Sequence, residues 1–547
     1  MKIVLLSTLL LILPVACPGK TVYVPDQYSK IQDAINAAQA GDFVLVRPGT
    51  YYENIVIRSR PVYLKSEQGP SVTVIDGNQQ DSVVKFHGGG TNKSILDGFT
   101  ITNGIGYLSL IWRWGGGISV NNSSAIIINN EIVNNTAEEG AGIRVYESEF
   151  TYIGKNVIND NIADLHCGGV WVKDSKAVIS GNRIEDNSTY SWAGGIWCED
   201  ESYVRILNNY ICRNSSWDGG GIYIDESAIE CVNNNISYNT SMNGGGVNCD
   251  VKHRKVIFLN NIITHNSGSG MEFSGFNNTN DIFVVNCHIS HNESYAGGGV
   301  HTLTINNIHL TNCTIAFNSV IGYGEGGGIS CAGSVFLENS IVWGNTAYQN
   351  PEINSTFGAC IAEYSNIKGG WPGTGNIDSD PLFVEPTSSV GDCHLTYNSP
   401  CIDTGNNALI YPDFDGDFEF DPRTANGTVD MGADEFYYHL YHTGDIVPGG
   451  SFDLRVVGKP GTSPVRVAMG AKPQDQPRLT SHGYLRISFP PLYFTDIGTI
   501  PANGVLIHTA TAATFWLPGQ EKYLQALVGP PVDTTSRLTN MDMLMVE

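Results

Sequence analysis

A tripeptide of the type Gly-Gly-(Ile/Val), or a close variant of it, recurs nine times along the middle of the chain and constrains the fold more than any other feature. Its last, apolar residue is Ile118, Ile143, Val170, Ile196, Ile222, Val247, Met271, Val300 and Ile329. Successive copies lie 24 to 29 residues apart. A period of this length is typical of solenoids, in which every repeat stacks on the one before it.

A second motif, Asn-x-Ile-x-x-Asn or a close variant, runs in phase with the first. Its last residue is Asn135, Asn161, Asn187, Asn214, Asn239, Asn266, Asn292, Asn318 and Asn345. Leucine-rich repeats have a similar period. However, each repeat here holds short alternating runs broken by Asn and Gly, with no amphipathic helix between them. We therefore predict an all-β parallel β-helix with three strands and about 25–27 residues per coil.

In a parallel β-helix the same residue of each repeat stacks on itself at about 4.8 Å. The glycines then suit tight corners, the asparagines form a ladder of amide hydrogen bonds, and the apolar positions fill the core. Cys287 and Cys313 replace the first Asn of the second motif in adjacent coils. We interpret them as buried thiols, with a disulfide as the alternative.

The chain begins Met1-Lys2 and is then apolar to about Val15. A charged start followed by an apolar run too short to span a bilayer predicts a signal peptide over residues 1–19. Cys17 leaves a lipid anchor as an alternative. No later segment reaches the roughly 18 apolar residues of a membrane helix. We expect a monomeric protein, secreted or at the cell surface.

Charge and cysteine content limit the kinds of ligand and cross-link that we expect. The 30 basic and 54 acidic residues leave a net charge of −24, which argues against nucleic acid as a partner. No Cys-x-x-Cys pair indicates a zinc site. Export permits disulfides, and Cys393 and Cys401 are close enough in sequence to bridge a loop.

The two ends of the repeat region resemble a known group. Residues 31–38 read as a short amphipathic helix that would cover the first coil. This helix, Val22-Tyr23-Val24-Pro25 before it and the turn at 48–54 resemble the opening of secreted proteins of the pectin lyase-like β-helix superfamily. Residues 378–383, 399–405 and 429–435 are similar to their closing segment.

This resemblance implies a right-handed parallel β-helix with a helical cap over residues 20–437. It implies little about activity, because the superfamily includes lyases, hydrolases, esterases, epimerases and proteins with no known catalysis. The paired-Asp and Gly-His-Gly motifs of polygalacturonases are absent, as are the motifs of pectin methylesterases. No catalytic residue is therefore carried over from the family.

The composition changes near residue 440. Residues 444–547 hold eight basic and eight acidic residues, no cysteine and two asparagines. Pro and Gly turns separate alternating runs here, so we predict a β-sandwich over residues 438–547. Its end, Leu524 to Gly529 followed by Leu538-Thr539-Asn540, resembles C-terminal modules of bacterial exported proteins.

Two columns of side chains point outward if the apolar residue of each Gly-Gly motif points inward. The first column, one residue later, is Ser119, Arg144, Trp171, Trp197, Tyr223, Asn248, Glu272, His301 and Ser330. The second column, three residues later, is Asn121, Tyr146, Lys173, Glu199, Asp225, Asp250, Ser274, Leu303 and Ala332. The preceding turn adds Trp114, Glu139, His166, Trp192, Trp217 and Asp218.

Exposed aromatic rings beside carboxylates suit sugars, because rings stack on a pyranose while carboxylates take its hydroxyls. The predicted catalytic residues are Glu199, Asp225 and Asp250. The predicted substrate-binding residues are Arg144, Trp171, Lys173, Trp197, Tyr223, Asn248, Glu272 and His301. The predicted partner is a polysaccharide or a cell-surface glycan.

The reaction, if there is one, stays open. Carboxylates on neighbouring coils match the spacing of about 5–5.5 Å in retaining glycosidases, and those on alternate coils approach the wider inverting spacing. A lyase would need a base such as Lys173, Arg144 or His301. The alternatives are a face that serves packing alone, and a non-catalytic surface or adhesion protein.

A second acidic cluster contains Asp413, Asp415 and Asp417, followed by Glu419 and Asp421. Its oxygen-rich side chains suit a calcium ion, although the spacing is not that of an EF-hand. A solvated acidic loop is the alternative. Residues 106–114 lengthen one coil, either as a lip over the columns or as packing against a neighbouring coil.

Overall fold

In a computed structural model, the described part of the chain is mostly β-structure, with very little helix. The structure describes residues 19–90, 93–109, 111–250, 254–275, 281–303, 307–386, 392–412, 416–417, 423–424, 427–436, 439–443, 451–457, 465–470, 473–480, 483–487, 493–498, 505–511, 521–528 and 537–545. The predicted signal peptide, apart from residue 19, lies outside these residues. Within them, no helix has the length and hydropathy needed to cross a bilayer.

A β-solenoid of about 13 turns spans residues 21–367, which confirms the predicted stacking of coils. Each coil contributes one strand to each of three parallel sheets. Sheet 1 follows the Gly-Gly motifs and consists of Ile55–Arg58, Val84–His87, Ile118–Asn121, Ile143–Tyr146, Val170–Lys173, Ile196–Glu199, Ile222–Asp225, Val247–Asp250, Met271–Ser274, Val300–Thr302, Ile329–Cys331 and Ile353–Asn354.

Sheets 2 and 3 follow sheet 1 in each coil. Sheet 2 consists of Thr21–Val24, Phe43–Val46, Tyr63–Ser66, Lys93–Asp97, Ser124–Ile128, Thr151–Gly154, Lys176–Ser180, Tyr203–Leu207, Ala228–Val232, Val256–Leu259, Ile282–Val285, Asn307–Thr311, Ser334–Glu338 and Ala359–Glu363. Sheet 3 consists of Gly49–Tyr52, Thr73–Asp76, Thr100–Thr102, Glu131–Val133, Val157–Asn159, Arg183–Glu185, Tyr210–Cys212, Asn235–Ser237, Ile262–Thr264, His288–Ser290, Thr314–Ala316, Ile341–Trp343 and Asn366–Ile367.

A smaller sheet 4 forms in the turns that lead into sheet 1. Its strands are Tyr107–Ser109, Trp112–Trp114, Thr136–Glu139, Ile162–His166 and Ser188–Thr189. The first two form an antiparallel hairpin, and Trp114 then pairs with Glu139 of the next coil. The insertion at 106–114 is therefore a hairpin that extends the turns. A similar pair, Glu293–Ser294 and Ser319–Val320, forms further along.

The core consists of side chains stacked in register. Ile118 is the Cα partner of Ile143, Ile143 of Val170, and the series continues coil by coil to Ile329. These apolar residues, and the residues two positions later, are buried. Burial of each such side chain is worth about 1.5–3 kcal/mol, so the periodic apolar pattern is itself the main source of stability.

The predicted asparagine ladder is present. The side-chain amide of Asn135 donates to Asn161 Oδ1 (3.0 Å), and the chain of bonds runs through every second-motif asparagine to Asn345. A second ladder runs from Asn130 to Asn261. Cys287 occupies the next position of this second ladder after Asn261. Cys287 and Cys313 are buried free thiols, which confirms the interpretation of these residues as thiols.

The first coil is covered by the helix Ile31–Ala37, whose residues Ile31, Ala34 and Ile35 are buried. Glu53 accepts hydrogen bonds from the backbone N–H groups of Ile31 (2.8 Å) and Gln32 (3.0 Å). A carboxylate at a helix N-terminus satisfies donors that have no partner within the helix and also interacts favourably with the helix dipole.

The coils end at Ile367, earlier than the predicted boundary at residue 437. Beyond them are the antiparallel pair Phe383–Glu385 and Asp392–Leu395 and the 3-10 helix Asn407–Leu409; another 3-10 helix, Pro70–Val72, lies in the solenoid. Cys393 and Cys401 are both free thiols, so the bridge considered between them is not formed.

The C-terminal residues form antiparallel strands. They are His439–Thr443, Ser451–Val457, Val465–Gly470, Pro473–Thr480, Gly483–Ile487, Tyr493–Gly498, Val505–Thr511, Glu521–Val528 and Arg537–Met545. They pair into sheets of three, four and two strands. The arrangement of these sheets as a sandwich stays a prediction.

Candidate functional site

Both predicted columns exist on sheet 1. In the first column, each residue from Ser119 to Ser330 is the Cα partner of the next. In the second column, Tyr146, Lys173 and Glu199 are successive partners, as are Asp225 and Asp250. The columns lie beside one another because successive side chains that share one face of a strand are two residues apart.

The first column is much less exposed than its sequence predicts. Trp171 and Trp197 are each only 3% exposed and belong to one buried cluster. The turn before the strand folds over them: the rings of His166 and Trp192 lie 5.3 and 5.9 Å from that of Trp197. The expectation that these two tryptophans form an exposed stripe is therefore wrong.

Arg144 is also buried, at 2% exposure. Its guanidinium carbon lies 4.5 Å from the ring centre of Trp114, 4.7 Å from that of Tyr146 and 4.9 Å from that of Trp171. Among the residues that the structure describes, its Nε and Nη1 atoms have no hydrogen-bond partner. Burial lowers the pKa of Arg144. In this arrangement the cation holds three aromatic rings together and does not reach solvent.

The aromatic residues that solvent does reach lie mainly in the turn. Trp192 is 38% exposed and Trp217 is 58% exposed. Trp192 stacks against the half-buried Tyr223 of the first column, with ring centres 6.4 Å apart and planes within 8°. Asp218, beside Trp217, accepts a hydrogen bond from Asn243 Nδ2 (2.6 Å). An accessible aromatic surface thus passes from the turn onto the first column.

Glu199, one of the three predicted catalytic carboxylates, is held by its neighbours. It accepts hydrogen bonds from Trp171 Nε1 (2.9 Å) and Lys173 Nζ (3.0 Å), while Lys173 also pairs with Asp200 (2.9 Å). Burial raises the pKa of Glu199, and Lys173 opposes that shift. Lys173, predicted to bind substrate, is therefore already engaged in an ion-pair network.

Asp225 has a different environment. Burial and then the nearby Asp250 carboxylate raise the pKa of Asp225 to about 6. The same surroundings, with burial first and Asp225 second, raise the pKa of Tyr223. Carboxyl groups perturbed by burial and a like charge are common in catalytic sites, and they also occur in structural ion networks.

The remaining first-column residues continue toward later coils. Glu272 is buried, and its Oε2 lies 3.2 Å from His301 Nδ1. Asn248 is 5% exposed, and its Oδ1 has no partner among the described residues. This end of the column is polar: Asn248 and Glu272 are buried, whereas His301, like Tyr223, is half-buried.

Sequence reasoning missed a row of exposed residues in the turns. They are the third residues after the ladder asparagines in several coils: Tyr190, Trp217, Met242, Tyr295 and Tyr348, each at least 48% exposed. Only Trp217 was singled out from the sequence. The fixed offset of three from each asparagine is the signal that identifies this row.

The predicted calcium ligands are only partly described. Asp413 and Asp415 lie outside the described residues, whereas Asp417 is fully buried and accepts a hydrogen bond from the backbone N–H of Glu435 (3.1 Å). In the described part of the chain, no group of three or more His, Cys, Asp or Glu side chains is arranged to hold a metal ion. Calcium stays a prediction here.

Two comparisons with known proteins bear on this face. Residues 89–251 match the family model described as "Right handed beta helix region". No curated protein matches the chain. The matched stretch contains the first column from Ser119 to Asn248 and the second column from Asn121 to Asp250. The chain thus contains a right-handed β-helix region, which carries the candidate site.

Proposed function

We propose that the protein binds a polysaccharide on the surface formed by Trp192, Trp217, Tyr223, Asp225 and Asp250, which we name the aromatic–acid surface. The observation that carries this proposal is the placement of two accessible tryptophans beside a half-buried tyrosine and a pair of carboxylates. Neighbouring aromatic side chains that are exposed to water often mark a contact surface.

The chemistry of the aromatic–acid surface favours a sugar as its ligand. The faces of aromatic rings stack on the apolar face of a pyranose, and carboxylates accept hydrogen bonds from its hydroxyl groups. The buried members of the first column, Arg144, Trp171 and Trp197, would then position Tyr223 and Trp192 from beneath rather than contact the ligand themselves.

Glycoside hydrolysis is a second candidate, favoured by Asp225. Its pKa of about 6 allows it to hold a proton for a leaving group near neutral pH. Asp250 is on the adjacent coil, and the spacing of about 4.8 Å between strands approaches the carboxyl separation of about 5–5.5 Å in retaining glycosidases. Glu199 is less suited because Lys173 and Trp171 occupy its oxygens.

The remaining sequence predictions complete this picture. We propose export by the N-terminal segment, action outside the cell as a monomer, and membership of the pectin lyase-like superfamily. We also propose that residues 438–547 form a β-sandwich. The rival function is that of a non-catalytic surface or adhesion protein, in which the β-helix is a rigid spacer and the sandwich docks elsewhere.

The test is a binding and cleavage screen of the full-length protein against neutral and acidic polysaccharides, with and without calcium. Trp192→Ala and Trp217→Ala should each weaken binding about tenfold, which corresponds to the loss of about 1.4 kcal/mol of stacking. Phe357→Ala is the matched control, because Phe357 is an exposed aromatic residue away from this surface.

Cleavage is read separately as new reducing or unsaturated ends. Asp225→Asn and Asp250→Asn should abolish product while leaving binding within a few fold, and the exposed Asp164→Asn serves as the control. Binding that survives both tryptophan substitutions would contradict the assigned surface. Absence of both binding and cleavage across a broad panel of polysaccharides would favour the adhesion function instead.

A further inference from the structure

A second feature of sheet 1 lies in the first coils, where three of the outward side chains are basic. Val56, Lys85 and Ser119 are successive Cα partners, as are Arg58, His87 and Asn121. These are the columns of the candidate site, continued toward the N-terminus. At about 4.8 Å per coil, Ser119 and Tyr223 are four coils, or about 19 Å, apart. The two regions are therefore distinct.

These residues line a cleft of about 200 Å³. Tyr107 of the sheet 4 hairpin forms its wall on the turn side, so the insertion at 106–114 turns a flat sheet face into an open cleft. A space of this size admits a small ion or a single sugar-sized group. We name it the basic cleft.

The charge of the basic cleft is opposite to that of the chain. The chain has a net charge of −24, yet none of the residues that line this cleft is acidic, and three of them are Arg58, Lys85 and His87. Lys85 pairs with the Asp81 carboxylate from outside the lining. Arg58 and His87 are exposed and have no ion pair in the described part of the chain.

A second cleft on the solenoid shows that this charge is local. That cleft, of about 420 Å³, has Glu147, Glu149, Asp174 and Glu201 among its lining residues, with Lys176 as its cation. It follows the corner between sheets 1 and 2, where a net negative surface is what the composition leads one to expect. The basic cleft departs from that expectation.

Hydrogen-bond donors converge on the basic cleft along with the charges. Asn121 Nδ2 donates to the Tyr107 hydroxyl (3.1 Å), so the proton of that hydroxyl is available to a further acceptor. Ser119 is 1% exposed, and its Oγ has no hydrogen-bond partner among the residues that the structure describes. Leaving a buried hydroxyl unpaired costs free energy, which a ligand acceptor at this position would recover.

We propose that the basic cleft binds a small oxyanion, that is, a carboxylate, sulfate or phosphate group. Arg58 supplies a planar fork of donors that matches two oxygens. Tyr107 and Ser119 supply neutral donors, and Lys85 supplies an ammonium group whose charge the Asp81 carboxylate partly balances. This binding does not depend on the aromatic–acid surface, and it adds an anion-recognition site to a protein whose overall charge repels anions.

The experiment is isothermal titration calorimetry of the full-length protein with sodium sulfate, sodium phosphate and sodium acetate at constant ionic strength. Saturable binding of one or more of these anions is expected, and the preferred one distinguishes a tetrahedral from a planar group. Arg58→Gln should weaken binding about tenfold or more, because charged hydrogen bonds are lost. Tyr107→Phe should weaken it about threefold to tenfold.

The control is Lys176→Gln, which removes one positive charge from the second cleft, lined by Glu147 and Asp174. It should leave the affinity for the anion unchanged. Circular dichroism and the thermal midpoint establish that each variant is folded. Absence of saturable binding with all three anions would overturn the proposal. So would Arg58→Gln and Tyr107→Phe proteins that bind as tightly as the wild type, or a Lys176→Gln protein that loses affinity equally.

Discussion

At the scale of single residues, the ladder asparagines combine two roles in one side chain. The amide of Asn214 donates to Ile184 O (2.9 Å) and to Asn239 Oδ1 (3.0 Å), while its own oxygen accepts from Asn187. All of these groups are buried. Because a buried polar group without a partner costs more than a hydrogen bond contributes, the ladder both supports each corner and fixes the register between coils.

We predict that Asn214→Ala destabilises the protein by about 3 kcal/mol, because the Asn187 amide and the Ile184 carbonyl each lose a buried partner. Chemical denaturation followed by circular dichroism measures the loss. Asn159→Ala is the control: this side chain donates to Asp160 in an exposed position, so its replacement should change stability by less than about 0.5 kcal/mol. Equal effects would contradict the ladder's role.

Asp225 yields a prediction with a defined pH window. Its pKa in the folded protein, about 6, lies above that of an unfolded aspartate, so folding disfavours the ionised form. The stability that this group contributes is full below about pH 4 and is lost as the pH rises through 6. Asp225→Asn cannot ionise and should be more stable than the wild type at pH 8, by about 1 kcal/mol after allowance for the half-buried position.

Thermal unfolding at pH 4 and at pH 8 tests this expectation, with the difference between the variant and the wild type as the readout. The difference should be near zero at pH 4. A gain of the same size at both values would show that the amide stabilises by another route, and a loss at pH 8 would show that the carboxylate is favourably engaged.

At the scale of elements, the corners of the coils have their own stacks. Tyr238, His265, His291 and Phe317 occupy equivalent positions with φ between 54° and 56°. Their rings stack at 4.9, 5.0 and 5.6 Å. A left-handed backbone is unfavourable for a side chain with a β-carbon, and the ring contacts with the coils above and below help to offset that cost.

Burial, with the neighbouring His291 as a second cause, lowers the pKa of His265. The neutral form is therefore favoured in the folded state, and stability is lost as the pH falls below the unfolded value of about 6.5. We predict that His265→Phe, which places a ring already tolerated at Phe317, loses less stability than the wild type between pH 7.5 and pH 5.

The measurement is the thermal midpoint of both proteins across that range. Tyr238→Phe, in the same stack, is the control and should shift the midpoint by a constant amount, since it removes only a hydroxyl group and keeps both imidazoles of the stack. A midpoint difference between His265→Phe and the wild type that does not change with pH would contradict a role for imidazole protonation.

At the scale of the whole molecule, charge is distributed unevenly along the sequence. Residues 444–547 are neutral, with eight charges of each sign, so the net charge of −24 belongs to the preceding residues. A compact unit with that charge repels itself more than its extended chain does. In every coil, the stabilising free energy of the asparagine ladders and the apolar core must exceed the free energy of this repulsion.

We predict that raising NaCl from about 10 to 200 mM increases the thermal midpoint, because the Debye length falls from about 30 Å to below 10 Å over this range. Differential scanning calorimetry measures it. KCl at equal ionic strength should have the same effect, which separates screening from the binding of a particular ion. A midpoint that is unchanged or lower in salt would show that repulsion does not limit stability.

The sequence by itself determined the coil. Its period, the inward phase of residues such as Ile196 and Cys198, and the spacing of the ladder asparagines are local patterns. A stacked strand reproduces its neighbour's environment, so the same pattern in every repeat predicts the same structure. The alignment of Asp225 with Asp250 follows for that reason, as does the helix at Ile31–Ala37, whose apolar spacing is visible in a single turn.

Only the tertiary structure decided which members of the columns reach solvent. Trp171, Trp197 and Arg144 lie in an outward phase, yet turn residues such as Trp192 and His166 cover this face. The pairing of Lys173 with Glu199 and the raised pKa of Asp225 beside Asp250 likewise depend on contacts between coils. Outward phase is a property of one strand, whereas exposure depends on every chain segment that packs above it.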